Sequence, residues 1–196
     1  MLYYIIMEQL SEKKTILLHS CCGPCSTAVV ERLAADYSIT IFYYNPNITD
    51  EEEYNLRLSE QKRFLRELEE RTGIRAELIE GPYDRDGWLE AVRGLEGEPE
   101  GGARCRRCFE LRLSETARAA AELGYDCFDS TLSVSPHKNY DAIKEAGDAA
   151  GRRFGVSFEG GNYKKKDGYK RSIELSREYG LYRQDYCGCV YSKRDR

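Results

Sequence analysis

Short apolar runs alternate with stretches of helical period along most of the chain. Residues 15–19 (TILLH) form an apolar run with a β-branched start that stops at a Cys/Gly/Pro turn, which predicts a buried strand feeding a loop. Beyond that loop Val29, Val30, Leu33, Ala34 and Tyr37 recur at helical spacing. Residues 38–44 (SITIFYY) are rich in β-formers and end at Asn45-Pro46-Asn47, a turn signal. A long helix is expected from Thr49 or Asp50. Thr49 and Glu52 have capping-box spacing, Tyr54, Leu58, Leu65 and Leu68 mark the buried face, and Gly73 closes it. Residues 76–79 read as a third strand before the Gly81-Pro82 turn, and the polar, Gly-rich residues 94–102 read as a mobile loop.

The second half repeats the alternation. Phe109, Leu113, Thr116, Ala117 and Ala120 lie on one side of a helix ending at Gly124, and Cys127-Phe128 opens another strand. Residues 139–154 form a helix with Tyr140, Ile143, Ala150 and Phe154 inward. Strands alternating with helices predict an α/β doubly wound fold, a parallel sheet with helices on both faces.

Composition changes the picture in two ways. With 196 residues, 41% hydrophobic and 33% charged, the chain suits one domain with a substantial core, and wholesale disorder is excluded. The apolar residues 2–7 fall far short of the ~20 that a spanning helix needs. They lack a basic flank and a cleavage site, and Met7 is an alternative start, so a cytoplasmic protein with no membrane contact is expected. Charge is unevenly shared: the net of −4 divides into +5 over residues 162–196 and −9 over the rest. Residues 162–196 also hold six of the fifteen tyrosines, and read as a basic C-terminal extension with a separate job.

The candidate chemistry is sulfur. Of eight cysteines, seven fall into three groups: Cys21, Cys22 and Cys25; Cys105 and Cys108; Cys187 and Cys189. In a cytosolic chain such clustering points to metal or redox work rather than a disulfide scaffold, and isolated Cys127 reads as core. The first group sits where the first strand meets its helix, the usual ligand position in an open α/β sheet. No Walker lysine and no G-x-G-x-x-G accompany it. Cys105 and Cys108 have C-x-x-C spacing near a helix start, where Arg104, Arg106 and Arg107 are expected to lower their thiol pKa values. With only two histidines in the chain, an all-sulfur site follows, and the CC pair favours a [4Fe-4S] cluster over zinc. The terminal C-x-C is either a strained redox couple or a holder of a second iron. Residues 162–171 interleave Lys164, Lys165, Lys166 and Lys170 with Tyr163 and Tyr169. That pattern suits gripping an exposed RNA loop, with lysines on phosphates and tyrosines stacked on bases. His19 reads as a packed residue, and Ser130, Thr131, Ser133 and Ser135 are candidate pocket hydroxyls.

These motifs together resemble the epoxyqueuosine reductase family of the QueH type. The resemblance runs through HSCCGPCS (19–26), YNPNI (44–48) with Glu53-Tyr54, EPEGGARCRRCF (98–109), TLSVSPHKN (131–139) and GYKRSIELSREYGLYRQDYCGC (168–189). Asp50 departs from the family pattern where proline is common, as does Asn162-Tyr163 where Asp-Phe is usual. The resemblance implies a Rossmann-like fold similar to the adenine-nucleotide hydrolases. It also implies reduction of epoxyqueuosine to queuosine at the wobble position of a tRNA anticodon, with tRNA as partner and an unassigned electron donor. The family's cluster ligands fall on Cys21, Cys22, Cys105 and Cys108, and its redox-active pair on Cys187 and Cys189. Two alternatives remain: a PP-loop tRNA sulfur-transferase, although the S-G-G-x-D-S aspartate is absent, and a zinc-stabilised RNA-binding module.

Overall fold

A computed structural model describes residues 13–193; the apolar residues 2–7 and Met7 lie outside them. Five parallel strands form one sheet in the order β3-β2-β1-β4-β5. The strands are β1 (Lys14–His19), β2 (Tyr37–Tyr43), β3 (Ala76–Glu80), β4 (Cys127–Ser130) and β5 (Ser157–Phe158). The helices between them are α1 (Gly23–Leu33), α2 (Glu51–Thr72), α3 (Arg85–Ala91), α4 (Ala103–Leu123) and α5 (Tyr140–Phe154), with α6 (Gly168–Glu178) following β5. Strand order turns outward in both directions from β1, so the switch point lies between β1 and β4. Among the described residues no helix is long and apolar enough to cross a membrane.

Alternation within β1 explains the two layers. Ile16 and Leu18 point into a cluster with Val29, Val30, Phe64, Leu68 and Leu175 from α1, α2 and α6. Leu17 faces the other way, against Ala117, Ala120, Phe128 and Ala150 on the α4/α5 side. All three β1 residues are completely buried, each worth roughly 1.5–3 kcal/mol on transfer from water. The doubly wound α/β arrangement expected from the alternation is the one observed.

Local differences have local causes. Tyr37 opens β2 instead of continuing α1, because it starts an aromatic and β-branched run in register with β1 from Lys14 onward. Asp50, not Thr49, caps α2: its carboxylate accepts from the Glu52 and Glu53 N–H groups at 3.1 and 3.3 Å. Thr49 N–H instead donates to Gly188 O at 3.1 Å. The basic C-terminal segment is built onto the α/β layers. Its helix α6 packs on α1, and Arg171 pairs with Glu31 of α1. Tyr163, expected as a stacking platform for bases, is 4% exposed, and its hydroxyl donates to Asp129 Oδ2 at 2.6 Å. It is an anchor.

Candidate functional site

All seven clustered cysteines lie at the carboxyl ends of the strands or on segments laid over them. The loop after β1 turns directly into α1, with Cys22 at the N-cap and Pro24 in the first turn. That turn gathers the Cys21, Cys22 and Cys25 sulfurs to within 4.8 Å of one another. Such spacing lets three donors reach one metal centre, and Gln184 Nε2 donates to Cys22 Sγ at 2.9 Å. Cys105 and Cys108 lie in the first two turns of α4, where Gly101 N–H donates to Cys105 Sγ at 3.2 Å.

Cys187 and Cys189 arrive on a strap that crosses the N-terminal half of α2. Arg57, 1% exposed, donates from Nη2 to Tyr186 O at 3.1 Å and from Nη1 to Cys187 O at 3.2 Å. Gly188 between the two cysteines has φ of 101°, and a Cβ there would stand 2.7 Å from Ile48 Cγ1. Only glycine fits this turn. All eight cysteines are free thiols, so the terminal pair carries no disulfide.

Two adjoining cavities join the groups. One, of about 170 Å³, is lined by Cys25, Cys187, Lys138, His137, Gln184 and Asp185, among others. The second is small, about 30 Å³, with Cys105, Cys108, Cys187 and Cys189 in its wall. Around this second cavity Asn47 Oδ1, Trp88 Nε1 and Arg104 Nε are buried without a hydrogen-bond partner. Orphaned polar atoms beside four thiols fit a site completed by a polar or charged group. A larger cavity of about 750 Å³ opens at the opposite, amino-terminal edge of the sheet, among Thr15, Tyr37, Thr72 and Gly124, and carries no cysteine.

Two cations set the electrostatics. Arg112 is one turn beyond Cys108 on the same face of α4, and its Nη2 donates to Asn45 Oδ1 at 2.7 Å. Burial works against its charge, but Cys108, Cys21 and Cys187 outweigh that and raise its pKa. Lys138 is held the same way: burial opposes the charge, and the Cys21, Cys25 and Cys187 sulfurs favour it. Cys21 is driven toward thiolate by hydrogen bonds from Cys22 and Cys25, with Lys138 and Arg112 adding to them. Cys187 is lowered likewise by Cys189 and then Ser192.

At Cys105 the expected arginine effect is overturned: burial raises the thiol, and Arg104 contributes only the smallest opposing effect. Arg104 turns its Nη1 to the carbonyls of Leu95, Glu96 and Glu98, and Arg107 pairs with Glu110. His19 is packed, as read from the sequence. Its ring is buried, its Nδ1 lies 3.0 Å from Ser130 Oγ, and burial followed by Arg112 lowers its pKa to about 3. Of the candidate hydroxyls only Ser135 lines the larger of the two cysteine cavities; Ser133 instead bonds Gly161 O at 2.6 Å. Cys127 is core, as expected.

Sequence comparison bears on this site directly. The family profile described as Epoxyqueuosine reductase QueH matches residues 16–195. A protein of that name from Streptococcus pyogenes serotype M1 is 42% identical over 189 residues, 96% of this chain and 74% of the relative. Its namesake from Thermotoga maritima is 35% identical over 186 residues, 93% of this chain and 92% of the relative.

Proposed function

The chain belongs to the epoxyqueuosine reductase QueH family, and from that premise we propose that it reduces epoxyqueuosine to queuosine at the wobble position of a tRNA anticodon, the last step of queuosine biosynthesis. The observation that carries this reading is the convergence of three distant stretches of chain at the carboxyl edge of the sheet: Cys25, Cys105, Cys108, Cys187 and Cys189 line two cavities there, and the Cys21 and Cys22 sulfurs lie within 4.8 Å of that of Cys25. An inert thiol-rich core would not set cationic Lys138 and Arg112 among those sulfurs.

The chemistry is a deoxygenation. Two electrons and two protons convert an epoxide to an alkene, and the oxygen leaves as water. The donor set is sulfur only, which fits a [4Fe-4S] cluster held by Cys21, Cys22, Cys105 and Cys108; Cys25 lies within the same sulfur group as the first two. Such a cluster supplies single electrons. Cys187 and Cys189 are the redox pair: as a dithiol they give two electrons and two protons on closing to a disulfide, which balances one epoxide. The same pair, with Cys25, offers enough sulfur for a second iron. Lys138 and Arg112 hold negative charge at the sulfurs, and the strap pinned by Arg57 excludes water from Cys189.

The test is anaerobic purification with iron, sulfide and zinc counts. Incubation with a chemical reductant and tRNA carrying epoxyqueuosine then follows, with the digested nucleosides separated by mass. Conversion to queuosine with about four irons and four sulfides is the expected result. A colourless protein with one zinc and no conversion would overturn it.

A further inference from the structure

Beside the cysteine cavity, on its outer side, lies an open cleft of about 580 Å³ that the reductase reading leaves unused. One wall is residues 136–141 and the other is Asn162, Lys164 and Lys165. The cleft and the cavity of Cys25 and Cys187 share Pro136, His137 and Lys138, so the two adjoin across that segment. We propose that Lys138 and the loop of Lys164, Lys165 and Lys166 form a shelf for the RNA sugar–phosphate backbone flanking the modified nucleotide. This inference rests on the reductase reading for the identity of the RNA.

Lys62, Lys144 and Lys193 are each neutralised by a carboxylate, Glu80, Asp148 and Asp50 respectively. Among the described residues none of Lys138, Lys164, Lys165 and Lys166 forms an ion pair. Lys164 Nζ instead donates to Lys138 O at 3.1 Å, tying one wall of the cleft to the other. Asp141 is the one carboxylate lining the cleft, against Lys138, Lys164 and Lys165. A polyanion that enters meets net positive charge.

The loop is also rigid, whereas a merely solvated lysine run needs no scaffold. Lys166 and Asp167 have φ of 53° and 59°, consecutive left-handed conformations at residues other than glycine. Such strain persists only where surrounding contacts impose it. Here they do. Ser133 accepts from Tyr163 N–H through Oγ at 3.1 Å and from Lys164 N–H through its carbonyl at 3.2 Å. Arg32 Nη2 donates to Lys165 O at 3.3 Å. At Gly168 a Cβ would stand 1.8 Å from Tyr163 O, so the loop closes there against its own backbone. Tyr163, hydrogen-bonded to Asp129 at the end of β4, carries this assembly on the sheet. The backbone that carries the lysines is therefore held in place beside the cysteine cavity, with Lys164 and Lys165 in the wall of the cleft. The N-terminus of α5 adds nothing to the argument, since Asn139 already caps its Asp141 and Ala142 N–H groups.

The probe is an unmodified anticodon stem-loop RNA, titrated against the holoprotein by fluorescence anisotropy over a range of salt. The triple variant K164A/K165A/K166A is expected to bind roughly tenfold or more weakly at low salt. Its log K against log[salt] should be shallower by about 0.7–0.9 for each phosphate that is no longer neutralised. The charge-conserving K164R/K165R/K166R should keep both affinity and slope, and K62A, which lies on α2 beside Glu80 of β3 and away from the cleft, should match wild type. Unchanged affinity and slope in the alanine variant, or no binding by wild type, would overturn the shelf. The epoxide assay reports separately. Conversion by wild type with normal RNA binding by the alanine variant removes the shelf alone. Loss of binding by that variant without conversion by wild type keeps the shelf and removes the reductase reading.

Discussion

Replacing Tyr163 with phenylalanine tests how the C-terminal segment is fastened, and its cost depends on pH in a way the structure specifies. Asp129 is buried and accepts from Ser130 N–H at 2.7 Å, Gly161 N–H at 3.0 Å and the Tyr163 hydroxyl at 2.6 Å. Burial is the largest influence on this carboxyl and outweighs the three donors, so its pKa rises to about 6 from an ordinary 3.8. A raised carboxylate pKa means that the folded protein binds the proton more tightly than the unfolded chain. Stability is therefore highest below about pH 4 as far as Asp129 is concerned, and falls by about 3 kcal/mol as pH rises through 6. Above that pH the carboxylate is charged and relies on its donors.

Tyr163→Phe keeps the ring, its burial and its contact with Arg32, and deletes only the hydroxyl. At pH 8 it removes a hydrogen bond to a charged acceptor, worth about 1.5–3 kcal/mol, which lowers Tm by roughly 4–10 °C. At pH 5 the folded carboxyl is mostly protonated, and the missing bond is a neutral one worth about 0.5–1.5 kcal/mol. Urea unfolding of wild type and variant at both pH values, under reducing anaerobic conditions, gives the difference of differences. Groups distant from residue 163 cancel in it. Equal losses at pH 5 and pH 8, or a loss under about 0.5 kcal/mol at pH 8, would refute the reasoning.

Single alanine substitutions at Cys21, Cys22, Cys105 or Cys108 should abolish visible cluster absorbance and epoxide conversion together, whereas Cys127→Ala should keep both at a cost of about 1 kcal/mol; full iron content in Cys105→Ala would remove that ligand set. Cys187→Ser and Cys189→Ser should retain sulfide and lose turnover. A loss of about one iron in each marks a second metal, and a constant iron count with changed thiol titration marks a redox disulfide. Gly147→Ala should destabilise by roughly 1–3 kcal/mol in thermal unfolding, because its Cβ would stand 2.2 Å from Phe158 Cε1. Arg57→Met should cost roughly 2–3 kcal/mol by removing the ion-pair partner of Glu53 and the donors to the Tyr186 and Cys187 carbonyls, and should expose residues 182–190 to limited proteolysis.

The layered fold was legible because both faces of a parallel sheet must be covered, which writes apolar runs for strands and helical periods between them. Three elements went unpredicted: the seven-residue α3 and the two-residue β5 are too short to complete a period, and the eleven-residue α6 lies in the stretch whose charge and tyrosines drew the reading of an extension. The cysteine groups were legible as spacing. Their environment was not, because a side chain's partners are a tertiary property: Arg104 follows a glycine-rich turn and gives its Nη1 to the carbonyls of that turn, so it has little effect on the Cys105 thiol that its sequence neighbourhood suggests it activates. Arg112 carried a readable clue, at four and seven residues beyond Cys108 and Cys105 on one helix face. Tyr163 misled for a simple reason: an aromatic beside lysines has the same composition whether it stacks on a base or anchors the loop that carries them.

The stripe of charge along α2 shows how the terminal cysteines are brought to the site. Glu53, Arg57, Glu60, Arg63, Glu67 and Arg71 recur at helical spacing, the pattern of a solvated face laced with i,i+4 pairs. In the fold that face carries the C-terminal strap. Arg71 donates to Glu178 O, Arg63 to Tyr179 O and Gly180 O, and Arg57 to Tyr186 O and Cys187 O. Glu60 accepts from Tyr182 N–H, and Glu53 from the Tyr182 hydroxyl. The glutamates fix the arginine rotamers, and the planar forks then supply the strap with backbone partners that it does not form as a strand or helix. Nearly every one of these bonds reads the strap's main chain. Its side chains are left to face the cavity, which is how Gln184, Asp185 and Cys187 line the same wall as Cys25. An apolar strap would have to bury those side chains to hold itself down. Fastening by carbonyls removes that conflict, and so two thiols near the end of the chain can stand beside the three that follow its first described strand.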